Sequence, residues 1–135
     1  MKQVIATAEA PAAVGPYSQA VAVGSLLFCA GQIPLDPTTN ELVSDDITEQ
    51  ATRVCENISA VLAANAMTFT NVVKSTVFLT DLADFAAMNA VYANFFTHPY
   101  PARSTVQVAA LPKGARVEIE VIASANAIMP TEAPL

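Results

Sequence analysis

PARSTVQVAALPKGARVEIEVIAS, residues 101–124, holds two runs of strand-forming residues around the turn signal LPKG at 111–114. Side chains two apart on a strand share a face. In the first run Val106 and Val108 share one face, which leaves Arg103, Thr105 and Gln107 on the other. In the second, Val117, Ile119 and Val121 lie opposite Arg116, Glu118 and Glu120. If both apolar faces join one core, Arg103 and the two glutamates share the opposite side. A hairpin through LPKG is the simplest arrangement that makes the two runs neighbours.

The residues upstream supply the rest of a two-layer domain. Asp46 and Glu49 stand at capping-box spacing. Ile47, Ala51, Val54, Cys55, Ile58, Val61 and Leu62 then recur at steps of three and four, an amphipathic helix with its stripe against a sheet. NVVKSTVFLT (71–80) is rich in β-branched residues and reads as a strand. Asp81 can cap a second helix with Phe85, Met88, Tyr92, Phe95 and Phe96 along one face and Asn89 at its border. AVAVGSLLFCAGQIP (20–34) gives two apolar runs parted by Gly24-Ser25, a hairpin signal. The order of strands, helix, strand, helix, strands predicts a single α+β domain with two helices on one face of a sheet. Residues 1–127 form that domain, and 128–135, with two prolines and no sustained period, form a tail.

Composition removes several function classes. Twelve acidic residues against six basic ones give a net charge of −6, and the basic ones form no cluster, which disfavours nucleic acid as a main partner. No apolar run reaches membrane-helix length, and the N-terminus has no signal-peptide core, so a soluble cytoplasmic protein is expected. Cys29, Cys55 and the single His98 fit neither a disulfide framework nor a metal site nor a His-activated nucleophile. His98, in THPYP, reads as a solvated loop residue, and both thiols as reduced and unpaired. The chemistry left is that of carboxylates, Arg, Tyr and backbone groups, with no metal or cofactor. At 135 residues and 53 % apolar, the chain also has more apolar surface than one core buries, so a subunit interface is expected.

Arg103 carries a planar fork of donors that matches a carboxylate in two parallel hydrogen bonds. Glu118 can move a proton without metal or cofactor. Together they suit a small α-carboxylate substrate. The alternative is that Arg103 pairs with Glu118 or Glu120 across strands, a purely structural role. Residue pattern alone leaves both open.

Four stretches narrow the choice: APAAVGPYSQAV (10–21), CAGQIP (29–34), VFLTDLADFAAMNAVYANFF (77–96) and PARSTVQVAALPKGARVEIEVIA (101–123). Their order and spacing resemble the Rid, or YjgF-type, family of reactive-intermediate deaminases, and within it the RidA subgroup, from about residue 5 to 125. The resemblance implies a chorismate-mutase-like layer assembled as a homotrimer, with a ligand cleft at each interface and a 2-imino acid substrate hydrolysed to a 2-oxo acid and ammonia. It implies that Arg103 holds the substrate carboxylate and Glu118 activates water. Glu120 is then a structural neighbour. Tyr17, Gly31, Asn89 and Thr105 line the cleft, with Asn89 or Tyr17 facing Arg103 across the subunit boundary. Ala30 stands where serine is frequent. A non-catalytic carboxylate-binding trimer, an endoribonuclease or translation inhibitor, and a chaperone-like role are the alternatives the family leaves.

Overall fold

The computed structural model describes residues 1–127. The tail expected at 128–135 lies outside the described residues. Six strands, β1 (Gln3–Ile5), β2 (Ala20–Val23), β3 (Leu26–Gln32), β4 (Val72–Leu79), β5 (Ala102–Gln107) and β6 (Val117–Ser124), form one mixed sheet in the order β1-β2-β3-β6-β4-β5. Helices α1 (Ile47–Ala63) and α2 (Phe85–Phe95) pack together on one face. This is the α+β, chorismate-mutase-like layer that the sequence predicts.

Local signals set most elements. The side chain of Asp46 accepts from the Glu49 amide at 2.9 Å, and all seven residues of the predicted α1 stripe are buried or packed against the core. Full burial of each large apolar side chain in such a stripe is worth about 1.5–3 kcal/mol. The Gly24-Ser25 hairpin forms, pairing Val23 with Leu26 and Ala20 with Cys29. Gly24 takes φ +59, which a two-residue turn of this kind needs and other residues rarely adopt. At α2 the capping expectation is off by a turn. Asp81 caps a short 3-10 turn, Leu82–Asp84, through the Ala83 amide, and α2 follows with Asp84 at its N-cap. Phe85, predicted to be core, is 39 % exposed, while Val91 is buried.

The predicted hairpin of β5 and β6 does not form. β4 lies between them, parallel to β5 and antiparallel to β6. β6 already uses both edges, on β3 and on β4, so β5 pairs only on the far side of β4. The inserted strand also overturns the shared face. Ser75 pairs with Arg103 and Val77 with Thr105, whereas Thr76 pairs with Glu120 and Phe78 with Glu118. Ser75 and Val77 are buried beneath the helices, so Arg103 and Thr105 lie on the helix side. Glu118 and Glu120 lie on the open side. The misleading signal was Val106, an apolar residue that faces the open side and is 41 % exposed.

Buried amides join the layers. Gln50, on the core side of α1, donates to the Ser44 carbonyl and accepts from the Arg116 amide, both at 2.8 Å, tying the start of α1 to the start of β6. Asn57 donates to the Ile33 and Leu35 carbonyls beyond β3 and accepts from Arg53 Nε. Gln50→Leu keeps the volume and strands two backbone partners, so it should cost about 2 kcal/mol. Urea unfolding checks this against Leu79→Ala, a cavity change expected to cost roughly 2–5 kcal/mol. An unchanged midpoint for Gln50→Leu would show that water replaces both bonds.

Candidate functional site

Arg103 leaves the edge strand β5 toward α2. Its Nη1 donates to Asn89 Oδ1 at 2.8 Å, and its guanidinium carbon stands 4.7 Å from the Tyr92 ring centroid and 5.5 Å from that of Phe85. Tyr92 is fixed in turn by a 2.7 Å bond between its hydroxyl and Ser75 Oγ, and by stacking on Phe96. The guanidinium is thus oriented by one bond and two aromatic faces, and carries no carboxylate partner among the described residues. The cross-strand pairing with Glu118 or Glu120 is overturned. Asn89, Tyr92, Ala93, Tyr100, Pro101 and Arg103 line a cleft of about 400 Å³. A fork with spare donors in such a cleft can take a carboxylate in two bonds.

Glu118 occupies a second cleft, on the opposite side of the sheet. Its carboxyl lies where a side chain on residue 31 would begin, so Gly31 is required for space and not for backbone conformation. Burial, and then the charge of Glu120, push the Glu118 carboxyl above the usual carboxylate range. Tyr17, Ala30, Gly31, Lys113 and Glu118 are among the residues lining this cleft, whose volume is about 480 Å³. Tyr17 is half exposed, and its hydroxyl accepts from the Val14 amide at 3.3 Å. A carboxyl held above its ordinary range beside a roomy, part-apolar cleft can take and return a proton without a metal or cofactor.

The six predicted residues therefore fall into two groups. Arg103 and Asn89 are bonded within one chain, which corrects the expectation that Asn89 faces Arg103 across a boundary. Glu118, Gly31 and Tyr17 share the other cleft. Thr105 lies on the helix side of β5, and its buried hydroxyl has no hydrogen-bond partner among the described residues. Sequence reasoning placed Tyr92 in the core and missed its contact with Arg103. The signal was its spacing: Asn89 and Tyr92 are three apart on a helix and so share a face. His98 is exposed, as expected. Cys29 and Cys55 are free and buried, and burial pushes both thiols up to about 12, where they are inert. Among the described residues no group of three His, Cys, Asp or Glu side chains could hold a metal ion. No helix among them is long and apolar enough to cross a membrane.

Known proteins share this architecture along nearly the whole chain. Protein DfrA of Myxococcus xanthus is 56 % identical over 124 residues, covering 90 % of this chain and 95 % of that protein. The 2-iminobutanoate/2-iminopropanoate deaminase of Capra hircus is 50 % identical over 123 residues, covering 91 % and 90 %. The crystal structure of RidA from an Antarctic Psychrobacter superimposes with a TM-score of 0.87 at 52 % identity, covering 90 % of this chain and 98 % of that one. The family model described as endoribonuclease L-PSP matches residues 7–125, and with it the chain belongs to the Rid, or YjgF-type, family.

Proposed function

We propose that this protein hydrolyses small 2-imino acids to 2-oxo acids and ammonia, in clefts that each join the Arg103 side of one copy to the Glu118 side of the next. The observation that carries this is the placement of the two groups on opposite faces of one sheet, each in an open cleft of its own. Neither cleft alone offers both a carboxylate clamp and a proton acceptor. A second copy brings them together, and cyclic closure of three copies repeats the junction without leaving an open end. The apolar open face, with Leu26, Phe28 and Val106 exposed, supplies surface for such a contact. Relatives named as imine deaminases support the reaction class.

The chemistry needs only positioning and proton transfer. Arg103, held by Asn89 and Tyr92, takes the substrate carboxylate in its free donors and so fixes the neighbouring imine carbon. Glu118 accepts a proton from water as the water oxygen bonds to that carbon and the C=N π pair moves to nitrogen. The proton passes to the nitrogen, giving a carbinolamine. Glu118 then takes the new hydroxyl proton and returns it to nitrogen. The C–N bond breaks, ammonia leaves, and a C=O bond closes. No electrons are exchanged with an outside acceptor. Holding the water and the carbon together supplies the gain over the uncatalysed addition.

The direct test is ammonia and 2-oxo acid release from imines generated by a dehydratase acting on serine or threonine. Arg103→Ala and Glu118→Gln should each abolish most turnover, and Arg103→Lys should be nearly as poor because a point charge lacks the fork. Mixed after subunit exchange, the two inactive variants should regain about a quarter of wild-type activity, since half the Arg103 sides meet half the Glu118 sides intact. No recovery would mean that both groups act within one chain and would overturn the shared cleft.

Gly31→Ala should force the Glu118 carboxyl aside while leaving the backbone in place, because the clash is with the end of a flexible side chain. Turnover should fall roughly tenfold or more, with a thermal midpoint near wild type. A fully active Gly31→Ala variant would separate Glu118 from the chemistry.

Glu118 also links activity to pH. A carboxyl whose folded pKa is raised contributes stability that is full below its unfolded pKa and lost as pH rises through the folded one. Glu118→Gln should therefore raise the melting temperature at neutral pH, with the gain vanishing below the unfolded carboxylate range. The acid limb of kcat/KM should lie above that range, and Glu120→Gln should move it down by removing the like charge. Melting curves and pH–rate profiles of the two variants check both signs.

A further inference from the structure

Residues 6–19 contain neither helix nor strand, yet Pro11, Ala12, Val14 and Tyr17 from this segment form one wall of the Glu118 cleft. An irregular connection of that length needs an anchor to hold a fixed shape. Gln19, at its end and directly before β2, is 4 % exposed. Its Nε2 donates to the carbonyls of Thr7 at 3.0 Å, Ala10 at 3.3 Å and Pro11 at 2.7 Å. Its Oε1 accepts from the Thr7 amide at 2.7 Å. The Gln19 carbonyl in turn accepts from the amide of Ala30, the neighbour of Gly31, at 2.9 Å. One residue thus joins the cleft wall to the strand on which the Glu118 carboxyl rests.

We propose that Gln19 is a positioning residue of the Glu118 cleft, whose buried amide sets where Tyr17 and the Pro11–Ala12 wall stand relative to Gly31 and Glu118. Only glutamine meets the demands of the place. A carboxylate accepts from Thr7 but cannot donate to the carbonyls, an ammonium donates but cannot accept, and asparagine is one methylene short. An apolar side chain of the same length would leave four buried or part-buried backbone groups without their partner. The activity arm of this proposal rests on the hydrolytic reading above, and the structural and ligand-binding arms do not.

The experiment compares wild type, Gln19→Met and Gln19→Glu by amide hydrogen exchange, by 2-oxobutanoate binding and by imine turnover. In Gln19→Met the Thr7 amide and the 7–17 segment should lose protection while α1, β4 and β6 keep theirs. Gln19→Glu should retain protection at Thr7 alone. Affinity for 2-oxobutanoate should weaken in both, and kcat/KM should fall by roughly ten- to a hundredfold, the cost of a cleft wall misplaced by about an ångström. In a Tyr17→Ala background Gln19→Met should cost much less, because the two act through one wall. Wild-type protein that binds 2-oxobutanoate but releases no ammonia would sink the hydrolytic reading and leave Gln19 to be decided by the affinities. Unchanged affinity in both variants would overturn the positioning role. So would protection lost across the whole sheet in Gln19→Met, which would assign the residue to global stability.

Discussion

β4 is the strand on which the functional arrangement depends. It lies between β5 and β6 and pairs parallel with one and antiparallel with the other. Because directly paired residues share a face, its own alternation decides which side each partner takes. Ser75 sends Arg103 toward the helices, and Phe78 sends Glu118 toward the open side. A slip of one residue in either ladder would exchange these faces. Register is fixed here by burial: Val77 and Leu79 are fully buried and cannot turn outward without exposing the core.

The same constraint gives the molecule two separate clefts, one on each side of the sheet. The Arg103 cleft has a cation oriented by Asn89 and Tyr92 and, among the described residues, no carboxylate in its lining. The Glu118 cleft has a carboxyl of raised pKa whose only neighbouring cation among the lining residues, Lys113, donates to the Asn40 carbonyl on the loop after β3. A guanidinium and a carboxyl kept on opposite faces of one sheet cannot neutralise each other by forming an ion pair within the chain. Association is the step that would bring the two together over a substrate, and the acidic, apolar composition suits association better than it suits a polyanionic ligand.

Buried amides do the work that longer secondary structure does elsewhere. Gln50 links α1 to β6, Asn57 holds the exit of β3, Asn71 donates to the Ser124 carbonyl at the end of β6, and Gln19 holds the irregular segment before β2. Each bonds backbone groups, buried or part-buried, in a loop or at the end of a strand. Three of the four reach the ends of strands next to the Glu118 cleft, so loop shape and site geometry are set by the same bonds.

Local patterns in the sequence determined the elements. The α1 stripe and its Asp46 cap, the Gly24-Ser25 hairpin, β4 and the two-helix layer all follow from periodicity, capping and turn chemistry, which act over a few residues. Family resemblance, carried by GPYSQA and the PARSTV…VEIE blocks, singled out Arg103, Glu118, Tyr17, Gly31, Asn89 and Thr105. Tertiary structure alone decided how these divide. Alternation tells which residues of a strand share a face, but not which face meets the helices, because Val106 and Val108 look as fit for a core as Val117 and Ile119. Strand order is equally silent in a sequence: β5 and β6 are antiparallel in either arrangement, and only the packing of α2 beneath β4 and β5 shows that β4 stands between them. The bond from Arg103 to Asn89 and the resting place of Glu118 on Gly31 are consequences of that order, fixed by contacts between residues far apart in the chain.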